Sequence, residues 1–194
     1  MIRTSRTRHG RRLPADPRNG ARGQAIVEFS LILPVFLLIL MGMLEYGSAI
    51  DHRTAMAYAV REGARVGASL ANGGSNPSRV DPLIVAAVQR GLTNPILVEN
   101  IVSIEIFKAS ASGQTTGTSI NVYDRDGNAV GSPGWPATSR VSGTNGDSIG
   151  VRVRYDFHPT TPLGSLLGLF FGGNPPYTTL RMTDTTVMRL EAPP

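Results

Sequence analysis

The spacing of apolar positions changes along this chain, and the change divides it. Residues 29–44 carry no charged side chain, and residues 24–27 and 45–50 extend the same helical reading. A bilayer span needs roughly 20 mostly apolar residues, which the extended run supplies and its uncharged centre alone does not. Pro34 and Gly42 lie inside it. Membrane helices tolerate both, because local adjustments and neighbours re-satisfy the freed backbone groups. The pattern predicts a transmembrane helix over 24–50. No proline follows between 49 and 71, so the helix is expected to run on beyond the bilayer. In that extension Ala55, Ala59, Gly63 and Gly67 recur every fourth position and share one face. Such a ladder of small residues lets another backbone approach closely, either from the chain's own following domain or from a partner helix.

The sequence 72–78, NGGSNPS, is a break. Residues 81–92 then read as a short helix, with Asp81 as the N-cap, Pro82 at the first helical position and Gly91 at the end. Strands follow. In 100–107 the apolar positions Val102, Ile104 and Ile106 share a face, and 119–124 is a second candidate. Residues 151–158 alternate cleanly, Val151, Val153, Tyr155 and Phe157 against Arg152, Arg154, Asp156 and His158. Residues 179–191 alternate too, but Asp184 breaks the apolar side and predicts a bulge or a polar end. Glycine-rich loops at 111–117, 127–134 and 143–150 separate the strands. The expected fold is α+β: a long N-terminal transmembrane helix that continues into an extracytoplasmic domain with a short second helix and an antiparallel β-sheet. The sheet is expected to cover its apolar face with the C-terminal half of the long helix.

Charge orients this arrangement. The chain has 194 residues and a formal net charge of +5. Seven of its 19 basic residues, but only one of its 14 acidic ones, precede Gly23, so the remainder is close to neutral. The basic character belongs to a leader rather than to a nucleic-acid footprint, and no nucleic-acid partner is expected. Arginines on the N-terminal side keep that side in the cytoplasm and place the residues after about 50 outside it. The organisation expected is a disordered cytoplasmic leader at 1–23, a span at 24–50 and an extracytoplasmic domain at 51–194. A cleaved secretory signal fits less well, because the nearest small-x-small sites, at 55–57 and 57–59, lie beyond Asp51, His52 and Arg53. The absence of cysteine excludes a disulfide scaffold and a thiolate metal site.

Gly23, four intervening residues, Glu28-Phe29 and an apolar run resemble the start of a type IV prepilin of the Flp/Tad branch. EYG at 45–47, REGARVGAS at 61–69 and VMRLE at 187–191 narrow the resemblance to TadE-like proteins, the pseudopilins of tight-adherence pilus systems. That resemblance implies a pilin-like fold, cleavage after Gly23 by a prepilin peptidase, and Gln24 as the mature N-terminus. It implies a membrane-anchored, non-catalytic component of pilus assembly or secretion, without cofactor. The implied partners are the peptidase, other pilus or pseudopilin subunits, inner-membrane assembly proteins and the bilayer. Gln24 departs from the Phe or Met that begins many mature type IV pilins. The carboxylate of Glu28 sits where a charge costs less than the ~2.5–3.5 kcal/mol of the bilayer centre. Cleavage creates an α-amino group one helical turn from it, available within the chain or from a neighbour. As a plain helix-start acid, Glu28 would instead snorkel to the interface.

Other chemistry is sparse. His9, His52 and His158 lack metal-ligand spacing, and no zincin, nucleophile-elbow or P-loop motif occurs. Residues 123–128, YDRDGN, alternate acids as a calcium loop does, but Asp126-Gly127 reads more simply as a hairpin turn. Trp135 is a loop aromatic suited to packing or binding. The stretch 162–176 is apolar, glycine-punctuated and too short to span a membrane, so it either caps the sheet or meets another subunit or a membrane surface. Two other classes remain open: a signal-anchored surface binding module, and an exported enzyme in which His158 and Asp156 would meet a hydroxyl in a cleft.

Overall fold

The computed structural model describes residues 17–92, 95–172 and 179–191. Residues 1–16 of the leader, with His9, and residues 173–176 of the apolar stretch lie outside them. The elements are α1 (Pro17–Leu70), α2 (Val80–Gly91), α3 (Pro95–Glu99), β1 (Ile101–Ala109), β2 (Thr115–Tyr123), β3 (Ser148–Phe157), α4 (Leu163–Phe171) and β4 (Leu180–Arg189). The fold is α+β, as expected. The chain divides into two compact units between Leu40 and Met41, in the middle of α1.

The first unit is helical from Pro17, so the last residues of the leader are helix rather than disordered chain. Its large apolar side chains are exposed on every side, among them Ile26, Phe29, Leu31, Ile32, Val35 and Phe36. A helix that is apolar all round requires an apolar surrounding. Mean hydropathy reaches 2.4, and α1 is the one helix among the described residues long and apolar enough to cross a membrane.

The second unit is built on a four-stranded antiparallel sheet in the order β2-β1-β3-β4. One face of this sheet packs on the rest of α1 and on α2. Met56, Val60 and Ala64 of α1, Ile84 and Val88 of α2, and Ile104, Ile106, Ile149, Val151, Val153 and Tyr155 of the sheet form one buried cluster. The alternation expected in β3 is observed, with Val151, Val153, Tyr155 and Phe157 all buried.

Three expectations are corrected. In β1 the register shifts between Ile101 and Ser103, so Ile101 enters the core and Val102 is 41% exposed. In β4 there is no bulge: pairing with β3 is continuous from Ser148↔Arg189 to Phe157↔Leu180. Asp184 stays in register because the Tyr155 hydroxyl donates to its carboxylate at 3.1 Å. In α2 the N-cap is Arg79 rather than Asp81, which falls in the first turn with Pro82 one position further on. A 3-10 turn, Pro77–Arg79, leads directly into α2, and the Asp81 carboxylate is claimed by tertiary partners instead. Two predicted loops also give up residues to strands: Thr115 to Gly117 open β2, and Ser148 to Gly150 open β3.

The other face of the sheet is not bare. Glu105, 4% exposed, accepts from Arg152 at 3.1 Å and from Arg154 at 2.9 Å. The Phe107 ring lies over Gly150, its register partner, with the Arg152 guanidinium 4.7 Å from the ring centre. A side chain at 150 would occupy the ring's position, so glycine there makes room for the aromatic.

Candidate functional site

The residues expected to govern processing lie together on exposed helix. Gly23 has open space where a side chain would be, and Gln24, Glu28 and Phe29 are all exposed. The Gln24 side-chain amide donates to the Glu28 carboxylate at 2.9 Å across one helical turn. The partner of Glu28 in the uncleaved chain is thus the side chain of Gln24. Its backbone nitrogen is still a peptide nitrogen and carries no charge.

The small-residue ladder has a different setting. Ala59, Gly63 and Gly67 are buried, and Ala55 packs at the margin of the core. A Cβ at Gly63 would meet Val88 at 2.5 Å, and one at Gly67 would meet Ile149 at 2.7 Å. A Cβ at Gly91 would stand 2.7 Å from the Cα of Ala59. The ladder is occupied by the chain's own α2 and β3. The outward face of this part of α1 carries Thr54, Tyr58, Arg61, Arg65 and Ser69. On it Arg65 donates to Glu62 one turn before it, at 2.7 and 2.9 Å.

A third feature was not anticipated. Glu45, directly after the uncharged run, accepts from the Thr160 N–H at 2.9 Å and from the Thr161 N–H at 3.0 Å. The Thr161 hydroxyl adds a bond of 2.6 Å. This carboxylate ties α1 to the turn that opens α4. A signal was present in the sequence: positions 41, 42, 48 and 49, which neighbour Glu45 on a helix, hold no cation. An acid placed there must find its donors elsewhere in the fold.

The densest polar cluster is Asp81, 7% exposed, with Asn121, Tyr123 and Arg140. Asn121 Nδ2 donates to Asp81 at 2.6 Å, the Tyr123 hydroxyl donates at 2.9 Å, and Arg140 pairs with the same carboxylate. The Arg140 guanidinium lies 4.8 Å from the centre of the Trp135 ring, which is itself buried. Trp135 is therefore a packing residue. Burial, then the facing Asp81 charge, push the Tyr123 hydroxyl far above the ordinary tyrosine value. The cluster pins the long loop after β2 onto α2.

The remaining candidates separate. Asp126-Gly127 is a turn, with Gly127 at φ +86° and its N–H donating to Asp124. No group of three or more potential metal ligands occurs among the described residues. Both oxygens of Asp156 accept from Arg181, at 2.8 and 3.0 Å, while His158 is exposed. His52 packs edge-on against Phe157, with ring centres 5.1 Å apart. The apolar stretch forms α4, and none of its described side chains is fully buried.

A helix long and apolar enough to cross a bilayer, running into an α+β unit, defines a class of helix-anchored proteins. Within that class, a family model described as TadE-like protein matches residues 23–65. The match begins at Gly23 and includes Glu28, the EYG segment and the first three residues of the small-residue ladder, Ala55, Ala59 and Gly63. The resemblance read from the sequence is thereby shown for this segment. No curated protein and no solved structure matches the chain.

Proposed function

We propose that the protein is a minor pseudopilin of a Tad-type pilus or secretion apparatus, anchored by α1, cleaved after Gly23 by a prepilin peptidase, and without catalytic activity. One observation carries this reading: the TadE-like match starts at the glycine whose spacing to Glu28 suits processing, on a stretch of helix whose large apolar side chains, Ile26 to Leu37, are mostly exposed. The second unit serves as a folded head, and α1 as the element that enters lipid or a bundle of similar helices. The division of polar chemistry supports a non-catalytic role, because the buried carboxylates Asp81 and Glu105 are both consumed by arginines.

The role of Glu28 follows from the geometry before and after cleavage. Removal of the leader gives Gln24 a charged amine one turn from the carboxylate, in place of a neutral amide as the strongest donor. A hydrogen bond to a charged group contributes about 1.5–3 kcal/mol, enough for a tenfold change in an equilibrium. Glu28→Gln keeps the shape and removes the charge. The expected outcome is a mature chain that begins at Gln24, stays in the membrane fraction and co-isolates poorly with other pilus subunits. N-terminal sequencing and co-isolation are read in the same sample, since a cleavage defect would mimic an assembly defect. A mature protein that starts at Met1 or beyond residue 50 refutes the processing. Full co-isolation of cleaved Glu28→Gln protein refutes the pairing. An unchanged mature mass after replacement of Gly23 would favour a signal-anchored binding module.

A further inference from the structure

From the position of α4 we infer that this helix is a second membrane contact: it lies in the outer interface of the bilayer, beside the point where α1 leaves it. The inference rests on the reading of α1 as a span. Its own observations are all within the second unit. The helix Leu163–Phe171 contains four leucines, two phenylalanines and no charge. Its described leucines, Leu163, Leu166 and Leu167, are only partly covered, so the fold leaves some of their apolar surface open. Its height is fixed. The three hydrogen bonds from Thr160 and Thr161 to Glu45 hold the turn that leads into it against one position of α1.

That position is where α1 changes character. Met43 and Leu44 are exposed apolar residues that end the uncharged run, Tyr46 is exposed, and Asp51 and Arg53 follow on the surface. Apolar side chains, then a tyrosine, then charges is the order of side chains through a membrane–water boundary. α4 is thus held at the boundary, and the surface it shares with α1 is of one kind. A cleft of about 270 Å³ between them is lined by Gly42, Ala49, Phe157, Leu163, Leu167 and Leu180. A nine-residue helix is too short to span. An uncharged apolar helix set at the boundary is suited to lie in the headgroup and upper acyl region, roughly 5–10 Å deep. The Glu45 carboxylate has a corresponding role. It supplies the acceptors for two backbone N–H groups that would otherwise enter this zone unpaired.

The chain has no cysteine, so each engineered cysteine gives a single labelling site. Full-length chains bearing Leu166→Cys, Ser165→Cys, Val35→Cys or Ser69→Cys would carry a nitroxide label in vesicles of phosphatidylethanolamine and phosphatidylglycerol. Accessibility to oxygen, which concentrates in lipid, is compared with accessibility to a water-soluble nickel chelate. The expected result is an oxygen-to-nickel ratio at 166 severalfold above that at 69 and close to that at 35. A water-like ratio at 166 with a lipid-like ratio at 35 overturns the inference and leaves the span standing. A label at 166 shielded from both reagents means that protein covers α4, and this also overturns it. A water-like ratio at 35 removes the span and the inference with it. If Leu166→Cys does not fold, Ser165→Cys is judged by the same criteria.

Discussion

Tyr123 and Tyr155 each donate a hydroxyl to a carboxylate inside the second unit, and these bonds carry a pH dependence. Both hydroxyls are raised above the ordinary tyrosine value, by burial first and by Asp81 or Asp184 second. A raised folded value means that the contribution is complete below about pH 10, where tyrosine in the unfolded chain begins to ionise, and is lost as pH rises from there. Tyr123→Phe removes a bond to a charged acceptor, so it should destabilise the unit by about 1.5–3 kcal/mol at neutral pH. The gap between variant and wild type should narrow above about pH 10, because the variant has no tyrosine at 123 to ionise on unfolding. Denaturant unfolding in detergent measures this, read by fluorescence of the one tryptophan, Trp135, which packs against Arg140 of the same cluster. A gap that stays constant with pH contradicts the assignment. At this scale the sequence was partly legible. Gly23, Gln24, Glu28 and Phe29 were singled out by their resemblance to a prepilin start, and the structure adds that they are exposed on helix. The roles of Asp81, Asn121 and Arg140 were not, since separations of 40 and 59 positions leave no local pattern.

The elements were legible wherever local period and tertiary burial agree. β3 follows its alternation because both faces of the strand are used as the pattern demands. β1 does not, because a shift in pairing substitutes Ile101 for Val102, and pairing is a property of two strands. The ladder on α1 was visible as small residues, but its occupant was not, since any backbone can use such a face. Its closest approach to backbone is where α2 ends. Gly91→Ala would gain up to about 1 kcal/mol of helix propensity. The added Cβ would stand 2.7 Å from backbone Ala59 Cα and 3.1 Å from its Cβ. A backbone contact cannot rotate away, so α1 and α2 must separate. The expected result is a net loss of about 1–3 kcal/mol, the usual cost of overpacking. An unfolding midpoint equal to or above the wild type would show that the two helices have slack at this contact.

For the whole molecule, the arginine-rich side of the span is expected to remain in the cytoplasm and the second unit outside it. A reporter that is active only after export, fused at Pro194, tests this orientation: strong activity is expected, and activity confined to a cytoplasmic reporter reverses the topology. The plan of one long helix and an antiparallel sheet was readable throughout, because hydropathy and alternation are additive along the chain. The connection between the ends of that plan was not. Glu45 holds the turn before α4, and farther along the same helix the Ala68 carbonyl accepts from the Glu191 N–H at 3.0 Å, beyond the end of β4. At 1.5 Å per residue these two ties stand about 35 Å apart along α1. Between them the helix is a strut riveted at both ends, and a pull along its axis loads the two rivets together in shear.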